Sequence, residues 1–282
     1  MTTWKEKPPE VTLLTGPEDP LGVMYEVWQR SRGFKVEPKD SPRRRKDEVD
    51  MFHRLIFDYT QIPEIIEFGW WLQGVPRAFF DQAVRHRKTS MFARSQRVMP
   101  ALNFYRDGEY LTTTPIAENL EARTIYSNAM KVCEEAFHKL VNNLDIPVED
   151  ARGILPLHLR TGFMWGLSLR DMVEVFRTRT CHVLQQEYWG PIIWQMKEAV
   201  EKIDLELGII FKPPCLRPEN KCVSELEAKI RVVETLKGVR TDLRPCRLWI
   251  EKYEVSWKAS DVLSLVNDGT IKWAQAPEDF KP

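Results

Sequence analysis

Arg85–Arg97 reads RHRKTSMFARSQR, and PRAFFDQAV, Pro76–Val84, stands directly before it. Proline at the first turn of an apolar segment predicts that Pro76–Val84 is a short helix. The stretch that follows sets four arginines and a histidine among Thr89, Ser90 and Ser95. A guanidinium forks phosphate or carboxylate through two parallel bonds, and a serine hydroxyl adds a donor. A basic, hydroxyl-rich loop delivered by an apolar helix therefore suits an anionic ligand. A solvated basic turn has the same composition, so the rest of the chain has to decide.

Lys and Arg total 41, matched by 41 Asp and Glu, so the net charge is zero. That balance argues against a general nucleic-acid or membrane-surface binder and confines any anion site to a local cluster. At 282 residues the chain holds a full core, as one large domain or a domain with an extension. No apolar run approaches the ~20 residues of a membrane span. The opening MTTWKEKPPE lacks the apolar core of a signal peptide, and the expectation is a cytoplasmic protein. Cys133, Cys181, Cys215, Cys222 and Cys246 show no paired spacing, so they read as reduced thiols and no metal site is expected. Ten tryptophans suit a core or pocket that holds flat rings.

In chain order, Val11–Thr15 alternates as a strand. Asp19 caps a helix with Pro20 in its first turn, and Leu21, Met24, Val27 and Trp28 share one face. Lys35–Lys46 is charged and proline-bearing, a surface loop, and Asp47–Phe57 is helical in period. Ile65–Leu72 reads as a buried strand and Pro100–Thr114 as turns. Ile116–Asn142 is one long amphipathic helix or two, with Ile125, Ala129, Val132, Ala136, Phe137, Leu140 and Val141 inward. His138 on its flank reads as a surface or packing residue and Cys133 as a small core residue. A helix from Ala151 stops at Pro156, a strand covers Phe163–Leu167, and a helix runs from about Leu169 to Asp204. Arg170 falls at a helix start, where a cation is disfavoured unless an anion is near. Arg177 and Arg179 cannot share one helical face.

The order Arg85-His86-Arg87, seven residues, Ser95, then Arg97, resembles the signature of the flavin-dependent thymidylate synthases. A second block, Ala151-Arg152-Gly153-Ile154-Leu155-Pro156, is similar to that family's Ala-Arg-x-x-Leu-Pro segment. Thr161, Trp165, Ser168-Leu169-Arg170, Arg179, Gln185 and Glu187 follow in the family's order. With the opening strand and helix, the resemblance covers roughly residues 10–205. It implies an α/β fold with a mostly antiparallel central sheet flanked by helices, assembled as a homotetramer with sites between subunits. It divides the chain into a catalytic domain, 1–208, and a C-terminal extension, 209–282.

The resemblance also implies roles. Arg85, His86, Arg87, Ser168 and Arg170 would hold FAD. Gln82, Ser95, Arg97, Arg152 and Arg179 would hold a pyrimidine nucleotide monophosphate, with Arg179 as the catalytic candidate. The implied reaction is C5-methylation of a uracil nucleotide, dUMP to dTMP or the UMP equivalent, with methylenetetrahydrofolate as one-carbon donor and NADPH as reductant. In such chemistry the cofactor carries the difficult step and the protein supplies position and electrostatics.

Departures mark where the substrate could differ. Phe92 and Ala93 stand where the family has Asn-Glu, Val98 where it has Tyr, and Ser168 where it has Asn. Thr60 and Ile65-Ile66 replace an upstream histidine and a Glu-His pair. These leave C5-hydroxymethylation, methylation of another nucleotide such as dCMP, or a non-catalytic flavin- or nucleotide-binding paralogue as alternatives. In the tail, Lys212-Pro213-Pro214-Cys215 lacks the activating neighbour a nucleophilic thiol needs.

Overall fold

The structure is a computed structural model that describes residues 7–57, 61–86, 89–98, 103–181 and 188–212. These fall in two units, 7–177 with 188–212 in the first and 178–181 in the second. Arg87, Thr60, Gln185, Glu187 and the expected extension beyond Lys212 lie outside the described residues.

The first unit is built on an antiparallel sheet of β1 (Glu10–Thr15), β2 (Glu67–Pro76), β3 (Ser90–Ala93) and β4 (Arg160–Ser168), in the order β1-β2-β4-β3. Side chains alternate across a strand, so Phe68, Trp70 and Leu72 of β2 and Phe163, Trp165 and Leu167 of β4 all face one layer. The expected strands at 11–15, 65–72 and 163–167 are found with shifted ends. β3 lies inside the stretch read as a basic loop, which is therefore a strand between two turns. Gly74, at φ +74°, makes the bulge that shifts the β2–β4 register between Gln73 and Val75.

Helices cover the apolar layer. α1 (Pro20–Ser31) starts where expected, with Asp19 Oδ1 accepting from the Gly22 N–H at 2.9 Å. α2 spans Pro42–Leu55, five residues longer at its start than the predicted helix. The reason is Arg44, buried inside the supposed surface loop and bonded to Glu48 (2.7 Å), Glu26 (3.0 Å) and the Glu37 carbonyl (2.8 Å). Burial opposes its charge, but the bonds to the two carboxylates outweigh burial and hold its pKa above the usual value. α3 (Arg77–Ala83) is short, and the Leu159 and Leu157 carbonyls accept from its Arg77 and Ala78 N–H groups.

α4 (Thr114–Glu118), α5 (Leu120–His138), a π turn at Lys139–Asn143 and α6 (Val148–Ala151) surround a second, smaller core. It contains Phe104, Tyr110, Met130, Phe137, Ala151 and Leu159. The inward face of α5 differs from expectation: Tyr126, Met130, Glu134 and Phe137 point in, while Ile125, Ala129 and Val132 are exposed. Cys133 packs against this core, and His138, half-buried, faces Asn142. Finally α7 (Leu169–Arg179) and α8 (Trp189–Glu201) replace the single helix expected from Leu169 to Asp204. Gly190-Pro191 lies in the first turn of α8, where proline starts a helix rather than continuing one.

Candidate functional site

The predicted ligand residues fall into two groups by the elements that carry them. One group sits around β3 and α6. Ser95 and Arg97 follow β3, and the Arg97 N–H donates to Ser95 Oγ at 3.2 Å, a local bond that shapes the turn. Arg152 follows α6 and its Nε donates to the Glu149 carbonyl at 3.1 Å. The Glu149 carboxylate lies 3.9 Å from Arg97 Nε. The structure thus brings Arg97 and Arg152 together across Glu149, with Arg97 mostly exposed. Only Arg97 is near the carboxylate; Arg152 is held by the backbone of the same residue. Glu149 was not singled out from the sequence; its only signal is its position three residues before Arg152.

The other group sits at the ends of α3 and at the start of α7. Arg85 and His86 follow α3, at the helix end where cations are favoured. Thr89 Oγ1 donates to the His86 carbonyl at 3.2 Å and closes this turn. Ser168 caps α7: its hydroxyl donates to Asp171 Oδ2 at 2.6 Å and accepts from the Asp171 N–H at 3.1 Å. The same carboxylate accepts from the Ser168 N–H at 3.1 Å, a reciprocal cap. One lone pair of that hydroxyl remains, which can accept but not donate. Ser168 therefore suits a ligand N–H or O–H and not a phosphate oxygen.

Arg170, buried, donates through Nη2 to Glu174 Oε1 at 2.9 Å. Asp171 and Glu174 supply the anions that make a cation tolerable at this helix start. The i, i+4 spacing of Arg170 and Glu174 was the available signal for that pair. Gln82, half-buried on α3, accepts at Oε1 from Trp189 Nε1 at 2.8 Å. Trp189 was missed in the sequence, being one tryptophan among ten. Arg179 closes α7 and belongs to the second unit.

Pro156–Arg160 joins the start of α3 to the second core. Leu157 and Leu159 carry the start of α3, while Ala151 and Leu155 pack in the second core. His158 lies between them, its Nδ1 2.8 Å from the Tyr126 hydroxyl. Burial lowers the His158 pKa, although a bond to the Leu111 backbone favours its charge. Burial also raises the Tyr126 pKa. This pair is thus neutral at pH 7 and ties the turn to α5. Of the departures, Ala93 turns toward the core and Phe92, 76% exposed, turns away from it.

The antiparallel four-stranded sheet layered with helices is a fold shared with solved flavin-dependent thymidylate synthases. Thymidylate synthase X from Helicobacter pylori, solved with FAD and dUMP, superposes with a TM-score of 0.59 at 14% identity, over 72% of this chain and 99% of that one. A UMP/dUMP methylase from Streptomyces cacaoi bound with 5-Br dUMP gives 0.56 at 15%, over 72% and 94%. Residues 14–204 match the family described as thymidylate synthase complementing protein, and the chain belongs to that family. A flavin-dependent thymidylate synthase of Sulfurisphaera tokodaii is 28% identical over 62% of this chain and 66% of its own length. That of Geobacter sulfurreducens is 29% identical over 56% and 66%. The chain thus spans just under two thirds of the length of these relatives.

Proposed function

We propose that the protein is an FAD-dependent enzyme that methylates C5 of a uracil nucleotide monophosphate, dUMP first. The observation that carries this reading is that Arg97 and Arg152 both contact Glu149, one at its carboxylate and one at its backbone carbonyl, while Arg170 of the second motif block is held by Glu174. Arg97 and Arg152, with Ser95 and Gln82, hold the nucleotide. Arg179 contacts the ring and is the catalytic candidate on the motif match alone. Arginine donates and never accepts, so a ring carbonyl is favoured and a cytosine amine is not.

The donor set fits FAD in part. Arg85 and His86 at the end of α3, with Arg87 from the motif, are donors suited to a diphosphate, and Arg170 is held ready by Glu174. Ser168 has an acceptor lone pair only, so it serves a ribityl hydroxyl or a ring N–H. When bound, FAD supplies the redox chemistry of the transfer, with methylenetetrahydrofolate as one-carbon source and NADPH as reductant. The chain orients the nucleotide and neutralises its phosphate.

Two further features extend the proposal. Ala93 and Val98 stand where the family signature has a carboxylate and a phenol, and without those polar groups UMP is tolerated beside dUMP. The solved neighbour described as a UMP/dUMP methylase supports keeping both sugars. The exposed stripe of Ile125, Ala129 and Val132 on α5 suits burial against another copy in a homotetramer. Residues 209–282 are proposed as an extension to a catalytic domain of 1–208.

Incubation with dUMP, UMP or dCMP, plus methylenetetrahydrofolate, FAD and NADPH, tests the reading by product mass. A methylated uracil nucleotide is expected. A hydroxymethyl product, or turnover of dCMP over dUMP and UMP, would replace it with the corresponding alternative. A chain that binds FAD and dUMP without turnover would be a non-catalytic paralogue.

A further inference from the structure

We infer that Arg160 forms an anion site outside the motif residues, one that takes the carboxylate of a small molecule along the Nε and Nη2 edge of its guanidinium. The inference is independent of the nucleotide reading above.

Arg160 opens β4, and only 7% of it is exposed. Its Nη1 donates to the Gly74 carbonyl at 3.1 Å, and its backbone N–H donates to the Glu109 carbonyl at 2.9 Å. Nε and Nη2 are closed to solvent and have no hydrogen-bond partner among the described residues. These two nitrogens point their N–H bonds along one edge of the planar group, the fork that matches the two oxygens of a carboxylate. The bond from Nη1 fixes the plane, so the open edge has a set direction.

Such a cation is costly where it stands. A buried charge is kept when it is paired, and unpaired donors away from water are rare in native proteins. Arginine does not escape by losing its proton. Burial pushes the Arg160 pKa down, and the charge of Glu109 opposes that shift. Yet the Glu109 carboxylate bonds to Lys7 Nζ, and no ion pair joins it to Arg160 among the described residues. An anion from outside supplies what the chain does not.

Charge and space choose the ligand. Arg160 supplies one positive charge, and Lys7 and Glu109 beside it cancel each other. A carboxylate balances that single charge, whereas a phosphate group carries close to two and would leave a surplus buried. The corner is narrow: a Cβ on Gly74 would stand 3.3 Å from Arg160 Nη1 and 3.8 Å from Pro9 Cα. Gln195 holds the segment before β1 at the Pro9 carbonyl (2.7 Å) and at the Val11 N–H (2.9 Å). Ahead of Pro9 the tie is the exposed Lys7–Glu109 pair, which opens at little cost. A slender acid fits such an entry better than a protein side chain with its backbone.

Thermal unfolding of the full chain and of Arg160→Met, in sodium acetate against sodium chloride at equal ionic strength, tests this. Acetate should raise the wild-type melting temperature saturably, by about 2–4 °C over chloride at about five times its Kd. Arg160→Met should lack this increment, and saturating dUMP should not remove it from the wild type. Inorganic phosphate should shift the two chains equally. If Arg160→Met does not fold, Arg160→Lys keeps the charge without the fork and should also lose the increment. The Nε–H proton resonance that disappears in Arg160→Lys should move downfield in the wild type as acetate is added. A wild type without an acetate increment, or an increment that the variants retain, overturns the inference. So does a phosphate increment lost in Arg160→Met, which would make the ligand a phosphoryl group. An acetate increment abolished by dUMP overturns it as well, because Arg160 would then belong to the nucleotide site.

Discussion

Arg97 and Arg170 belong to the same set of motif arginines, yet the fold treats them oppositely. Arg97 keeps 61% of its side-chain surface exposed and meets Glu149 only at 3.9 Å. Arg170 keeps 10% and is bonded to Glu174 at 2.9 Å. An exposed guanidinium is ordered by its ligand, and its loss costs binding more than folding. A buried and bonded one is ordered in advance, so its loss costs both. Arg97 is thus left to solvent, and Arg170 is fixed by Glu174 within the fold.

The largest expected effect breaks the core packed on α3. Phe79→Ala removes the ring against Trp189, Phe163 and Trp165 and should cost ~3–5 kcal/mol of stability in chemical denaturation. A loss under ~1 kcal/mol would mean that α3 does not depend on this packing. Arg170→Met should come next, with ~1–3 kcal/mol of stability lost together with flavin affinity. Arg97→Ala should leave stability within ~0.5 kcal/mol. Equal destabilisation by the two arginine variants would erase the difference between them.

Ser168→Ala sharpens the comparison at the helix start. Loss of the reciprocal cap with Asp171 should cost ~0.5–2 kcal/mol, visible as a lower melting temperature. An unchanged melt with sharply weaker FAD binding would instead give the hydroxyl to the cofactor. The smallest effect is pH-dependent. His158 is held below its ordinary pKa, so the unfolded chain binds more protons than the native one as pH falls below about 6.5. His158 therefore contributes stability above that pH and loses it progressively toward its lowered native value. His158→Gln should flatten the acid side of a stability profile below about pH 6.5, and an unchanged slope would locate the titration elsewhere.

Three of the four strands and the first helix cap were legible from local sequence, and the two arginine blocks from their likeness to a family signature. Alternation located β1, a buried apolar run located β2, and Asp19-Pro20 located α1. What was misread depended on partners distant in sequence. Arg44 looked like part of a charged loop because one of its partners, Glu26, is 18 residues away. The apolar spacing of α5 is real, but it lies on both sides of the helix, and periodicity cannot say which side the chain itself covers. Hence Ile125, Ala129 and Val132 were placed inside. The break between α7 and α8 was written in Gly190-Pro191 but masked by the apolar run around it. Glu149 and Trp189 were invisible for a similar reason: each matters only through the side chain it meets.

Equilibrium titration of Arg97→Ala with dUMP and with FAD tests the central claim most directly, that the exposed Arg97 takes the nucleotide and the core-bonded Arg170 takes the flavin. A charge-assisted bond to phosphate is worth ~1.5–3 kcal/mol, so dUMP should bind roughly tenfold to a hundredfold more weakly while FAD binding is unchanged. Unaltered dUMP binding, or an equal loss of both ligands, would contradict the account.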